Sequence, residues 1–243
     1  MTEPSTPELA HRFEPSASIE MLQARSQLLQ HLRGWFIGQG YWECQTPILS
    51  RERIIDANIE LYTTTDESGT WYLQPSPEAC MKRILAAGAN AIFQIGPAMR
   101  VGEKGDRHNA EFTIVEWYKD GDTYFDQMTF TQELVRSFYD AAAPLRLSNA
   151  SNSNQRSQSP AAFDRITYDE AFERFVGSKV LHLEPDELTK LAQRHDVCIP
   201  DSMEPDRDSL LNLLLAELVE PNLGQDAPQF LYDYPASQAA LAK

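Results

Sequence analysis

FQIGPAMRVGEKGDRHNAEFTIVEWY, residues 93–118, sets an apolar stretch and an alternating stretch on either side of a segment dense in charge. AIFQIG and EFTIVEWY each have strand character, and the segment between them is long for a hairpin connection. Connections of that kind in a compact domain usually carry function or move. Alternation along the second strand assigns Phe112, Ile114, Glu116 and Tyr118 to one face and Glu111, Thr113, Val115 and Trp117 to the other. Either face therefore mixes apolar groups with a carboxylate. Glu116 beside Tyr118 points to a wet concave surface suited to a cationic ligand, with a solvated glutamate on an edge strand as the plainer alternative. Arg100, at the end of the first strand, either projects into the same concavity or makes a surface salt bridge.

Upstream, Ile19, Leu22, Leu29, Leu32, Trp35 and Phe36 recur at helical spacing, and Gly34, Gly38 and Gly40 punctuate the end of a long amphipathic helix. YWECQTPIL, residues 41–49, reads as a strand that Pro47 confines to an edge or a strand end. IELYTTT and TWYLQP flank DESG and form a β-hairpin. In SPEACMKRILAAG, residues 76–88, Ser76 suits the N-cap, Pro77 the first helical position and Glu78 the first turn, and Gly88 closes the helix. Downstream, a helix is expected over Thr123 to Tyr139, followed by a polar low-complexity linker at 148–160. ITYDEAFERFVG, EPDELTKLAQRH and DRDSLLNLLLAELV read as three helical pieces, the first after a short extended segment, before PQFLYDYP returns to strand character. This order predicts an α+β fold, an antiparallel sheet flanked by helices.

The chain of 243 residues is 42% hydrophobic, enough to bury a substantial core. A net charge of −15 opposes broad nonspecific binding to nucleic acid, which needs clustered Lys and Arg, and leaves room for a local basic pocket. Cys44, Cys80 and Cys198 are odd in number and far apart, so they suggest free thiols in a reducing compartment rather than a disulfide framework or a zinc site. Residues 1–15, with three prolines and few apolar anchors, read as a flexible leader. No signal peptide or membrane span is apparent, and a cytoplasmic protein is expected.

Four segments together resemble the class II aminoacyl-tRNA synthetases of the lysyl type. FQIGPAMRVGEKGDRHNAEFTIVEWY is similar to motif 2 of that family, the strand, loop and strand of the ATP site. GYWECQTPIL resembles motif 1, which builds the dimer interface, SPEACMKRIL the amino-acid-binding segment, and FLYDYPASQAALAK an Asp-Tyr-Pro strand. The likeness runs from about residue 16 to residue 243, as one catalytic domain. Within the superfamily it is closest to the ligases that modify elongation factor P, because the catalytic helix starts near the N-terminus and leaves no room for an anticodon-binding barrel.

That resemblance implies ATP-dependent activation of lysine or (R)-β-lysine as an aminoacyl-adenylate, and transfer to a lysine side chain of elongation factor P. It implies a homodimer through motif 1, no tRNA and no membrane partner, and Mg²⁺ whose ligands are expected outside this segment. Arg100 matches the motif 2 arginine, a catalytic group stabilising charge on the α-phosphate. Glu103, His108 and Asn109 complete the implied ATP contacts, while Lys104, Asp106 and Arg107 read as solvated loop charges or a nucleotide cover. Ser76, Glu78, Glu116 and Tyr118 form the implied amino-acid site. The sequence departs from the family pattern at Val101-Gly102-Glu103, which displaces the expected glutamate by one position, and at Ala110, where proline is usual. No motif 3 precedes Lys243, so an incomplete chain is expected. The alternatives are a tRNA-charging enzyme, a small-molecule amide ligase or a noncatalytic synthetase-like regulator.

Overall fold

The computed structural model describes residues 15–54, 56, 59–105, 108–145, 159–160 and 162–239. Nearly all of the expected leader and linker, and the loop residues Asp106 and Arg107, lie outside them. The chain divides into two compact units between Ser159 and Pro160.

In the first unit, helix α1 (Ile19–Gly38) starts at Ser18, whose hydroxyl accepts from the Met21 N–H at 3.2 Å. Two short strands follow, β1 (Trp42–Glu43) and β2 (Leu49–Ser50). The single strand expected over residues 41–49 is thus split between two sheets. Its interruption has a local cause: Pro47 has no N–H, and the Thr46 N–H donates to the Gln94 side chain at 3.0 Å instead of to a neighbouring strand. The expected hairpin forms as β3 (Thr63–Asp66) and β4 (Gly69–Leu73), with β2 antiparallel on the other side of β4. Helix α2 (Glu78–Ala86) leads into β5 (Ala91–Met99), β6 (Glu111–Lys119) and helix α3 (Tyr124–Ala142).

The β5–β6 pair is antiparallel in unbroken register from Ala91 opposite Lys119 to Met99 opposite Glu111. This register divides the sheet into two faces, as residues opposite each other share a side. On one face Phe93, Ile95, Val115 and Trp117 pack with Leu32 and Phe36 of α1 and Leu134 of α3. Phe36 and Phe93 stack with ring centroids 4.7 Å apart. Contact begins late along α1: Ile19 and Leu22, expected on the apolar stripe, remain 59% and 42% exposed. The other face carries Ile92 and Tyr118, covered by Met81 and Ile84 of α2, and beyond them Gln94, Glu116, Gly96 and Ala98.

The second unit opens with β7 (Asp164–Thr167), then α4 (Tyr168–Val176), α5 (Pro185–Arg194), α6 (Arg207–Leu214) and β8 (Gln229–Tyr232). Its core gathers Tyr168, Phe172, Leu188, Leu191, Leu210 and Leu211. The helix expected to continue to residue 219 widens to a π turn at Leu215–Val219, just before Pro221, which has no N–H to extend it. Strands β7 and β8 pair in parallel, as do β1 and β5, so the pairing is mixed rather than antiparallel throughout. In both parallel pairs the connecting chain crosses over through helices, which the local sequence pattern alone does not reveal. Among the described residues no helix is long and apolar enough to cross a membrane.

Candidate active site

The site face of the β5–β6 sheet meets the start of α2. Ser76 serves both: its hydroxyl accepts from the Glu78 N–H at 3.0 Å and donates to the Glu116 carboxylate at 2.5 Å. The capping bond expected from Ser76 is therefore present, although regular helix begins only at Glu78, after Pro77. The Tyr118 hydroxyl donates to the second Glu116 oxygen at 3.1 Å. Both oxygens of a half-buried carboxylate are thereby oriented by side chains from two elements. Burial raises the Glu116 pKa above its ordinary 4.5, and hydrogen bonds from Ser76 and Tyr118 only partly offset this. Burial, with the negative charges of Glu116 and Glu78, also keeps the Tyr118 hydroxyl protonated as a donor.

Glu78 stands beside this group, and its charge bears on Glu116. Its carboxylate holds Lys82 one helical turn on, at 2.7 Å. Two carboxylates and two hydroxyls therefore lie together on this face, chemistry that suits a cationic group.

Arg100 lies on the same side. It leaves the end of β5, donates from Nε to the Pro75 carbonyl at 3.4 Å and sets its guanidinium over the Phe112 ring, 5.1 Å from the centroid. Phe112 is on the Glu116 face by the β5–β6 register. The fork is thus braced by a carbonyl and a ring, with a cation available to an anionic group. Glu103 approaches Arg100 at 3.9 Å and His108 at 3.9 Å, so these three form a loose cluster at the loop. Gly102, at φ +82°, makes the turn that brings Glu103 back towards Arg100, and the Arg100 N–H closes the loop on the Ala110 carbonyl at 2.9 Å. Asn109 stands apart from the cluster. It borders a hollow of about 350 Å³ with Arg25, Pro97, Glu111, Phe112 and Thr113.

Of the residues selected from sequence, Ser76, Glu78, Glu116, Tyr118 and Arg100 share one face, Glu103 adjoins Arg100, and His108 adjoins Glu103. Gln94 was missed. It sits directly opposite Glu116, and the signal was present in AIFQIG, where one polar residue interrupts an apolar strand. A nucleotide with its phosphates on Arg100 fits the braced cation. Among the described residues no three His, Cys, Asp or Glu side chains form a metal-binding group.

A domain of mixed helices and sheets that sets a hydroxyl-held carboxylate and a braced arginine on one sheet face carries the groups that an amino-acid-activating enzyme uses. Residues 11–243 match the model of the tRNA synthetases class II (D, K and N), and the chain belongs to that family. More particularly, it is similar to proteins named elongation factor P–(R)-β-lysine ligase. The relative from Actinobacillus succinogenes is 34% identical over 238 residues, covering 96% of this chain and 67% of the relative. That from Pseudoalteromonas translucida is 37% identical, with 95% and 67% covered, and that from Vibrio cholerae is 37% identical, with 94% and 67% covered. The chain spans about two thirds of the length of these relatives.

Proposed function

We propose that this protein activates (R)-β-lysine or lysine with ATP and transfers the aminoacyl group to a lysine side chain of elongation factor P. The observation that carries the reading is the Glu116 carboxylate, held by Ser76 and Tyr118 on the same face as Arg100. Glu116 supplies an ammonium site for the amino acid and Arg100 an anion site for the nucleotide phosphates. The names of the relatives support the choice of amino acid and acceptor.

In the first step the amino-acid carboxylate attacks the α-phosphorus of ATP and pyrophosphate leaves. Arg100 neutralises charge that builds on the phosphoryl oxygens. Glu116 and Glu78 bind substrate ammonium, which holds the carboxylate in place for attack. His108, Glu103 and Asn109 are assigned to the nucleotide end. In the second step the amine of the acceptor lysine attacks the acyl carbon, forming an amide and releasing AMP. Mg²⁺, which the family relationship implies, would supply charge neutralisation to the phosphates if bound, its ligands lying outside the groups described above. A cytoplasmic site of action and a homodimer through the segment around Trp42 and Pro47 belong to the same reading. Exposed Ile37 and Trp42, 59% and 49%, support that dimer. A net charge of −15 supports a protein rather than a tRNA acceptor.

Lysine- or (R)-β-lysine-dependent exchange of pyrophosphate into ATP tests the first step. Mass analysis of elongation factor P after incubation, beside a tRNA-charging control, tests the second. Absence of exchange with both amino acids rules the reading out, and charging of tRNA without protein modification transfers it to the synthetases proper.

A further inference from the structure

Residues Gln74 to Pro77 join β4 to α2, and Gln74, Pro75 and Ser76 each bond to the β5–β6 pair. The Gln74 carbonyl accepts from the Met99 N–H at 3.4 Å, the Pro75 carbonyl accepts from Arg100 Nε at 3.4 Å, and the Ser76 hydroxyl donates to Glu116 at 2.5 Å. One short segment therefore touches both the end of β5, where Arg100 leaves the strand, and the middle of β6, which carries Glu116. A further bond, from the Glu78 N–H to the Ser76 hydroxyl at 3.0 Å, anchors it to the first turn of α2.

The backbone of this segment is stiff for a reason written in its composition. Pro75 and Pro77 are both buried, and each ring fixes its own φ and disfavours helical backbone in the residue before it. Those preceding residues are Gln74 and Ser76, so the whole connection is restricted. Helix capping accounts for Ser76 and Pro77, but not for Pro75, whose carbonyl faces Arg100. Ser76 has its one hydroxyl proton committed to Glu116, which leaves it no donor for a ligand.

We infer that Pro75-Ser76-Pro77 is a positioning element that fixes the separation between Arg100 and Glu116, Ser76 acting on the reaction through Glu116 and Pro75 through Arg100. The inference rests on the proposed function and deepens it. Adenylate formation needs the amino-acid carboxyl to meet the α-phosphorus while the ammonium stays on Glu116, so the spacing of the two groups selects the length of the substrate.

The test follows lysine affinity against pH, with kcat and ATP KM in pyrophosphate exchange, for the protein and its Ser76→Ala and Ser76→Thr variants. Besides Ser76, the groups that bear on Glu116 are Glu78 from α2, Tyr118 from its own strand and Arg100 from the end of β5, and all three are kept. Ser76→Ala removes a donor that favours the ionised carboxylate. The rise of lysine affinity with pH should therefore move about one pH unit upward, the order set by one hydrogen bond to a charged group. Above that rise kcat should fall on the order of tenfold through lost alignment, with ATP KM unchanged. Ser76→Thr keeps the hydroxyl and should restore both. A pH profile that stays in place in Ser76→Ala overturns the inference even where lysine affinity drops, since that pattern marks a direct substrate contact. So does Ser76→Thr that behaves like Ser76→Ala. Pro77→Ala carries the test if Ser76→Ala does not fold: it keeps the side-chain hydrogen bonds and frees the backbone at Ser76, and the φ of −78° and ψ of −3° at residue 77 are open to alanine. There kcat is expected to fall severalfold, and unchanged kcat overturns the inference. If the unsubstituted protein neither binds nor activates lysine or (R)-β-lysine, the functional reading fails first and the positioning role falls with it, whereas activity with an unmoved profile sinks the positioning role alone.

Discussion

At Arg100 the roles of charge and geometry separate. The guanidinium is braced by the Pro75 carbonyl and the Phe112 ring, and a lysine offers neither a planar fork nor the same stacking. Arg100→Lys, which keeps the positive charge, is expected to lower kcat/KM for pyrophosphate exchange by about a hundredfold, the usual order for losing one preorganised donor. Circular dichroism should stay unchanged. Glu116 yields a prediction with a sign. Because burial raises its pKa when folded, its contribution to stability is full below the unfolded value and is lost as pH rises through the folded one. Amino-acid binding runs the other way, since the ammonium needs the ionised form. KM for the amino acid should therefore fall as pH rises above 4.5 through the Glu116 titration, and that limb should vanish in Glu116→Gln. The site was partly legible at this scale: the motif match selected Ser76, Glu78, Arg100 and Tyr118, and alternation placed Glu116 beside Tyr118. It did not select Gln94, because a lone amide in an apolar run gains meaning only from its cross-strand partner and from the distant Thr46 N–H.

Among the elements, boundaries written in local chemistry were legible and pairings were not. Thr123 caps α3 through a box with Asp126, and Thr167 caps α4 through one with Glu170; each threonine side chain accepts from the backbone while the carboxylate answers the cap N–H. The helix expected from Thr123 is capped at that residue in the structure. Thr167→Ala should destabilise the second unit by about 1 kcal/mol, measured by urea denaturation, with unchanged m-value. Residues 41–49 show the opposite case. Their strand-like composition is real, but Pro47 and the Gln94 side chain take the segment out of one ladder and into two. The parallel pairings of β1 with β5 and β7 with β8 join segments far apart in the chain, so no window of local sequence contains them.

For the whole molecule, each of the two compact units has a principal core of its own. One stacks Phe36 on Phe93 under α1 and α3; the other closes around Phe172, Leu188 and Leu211. Leu211 is fully buried, so Leu211→Ala should cost roughly 2–5 kcal/mol. Hydrogen exchange should then accelerate through α4, α5 and α6. The amphipathic pieces of the second unit were legible from periodicity, whereas its closure as a unit depends on contacts that only the folded chain makes. The unbroken β5–β6 register carries a consequence for how this family member can vary. Side chains alternate, so deleting one residue within β6 would exchange the Trp117 indole for the Glu116 carboxylate, spoiling core and site face together. Glu103 and His108 lie outside the paired strands, so a change of length beside them would alter their reach to Arg100 without inverting the faces of the sheet.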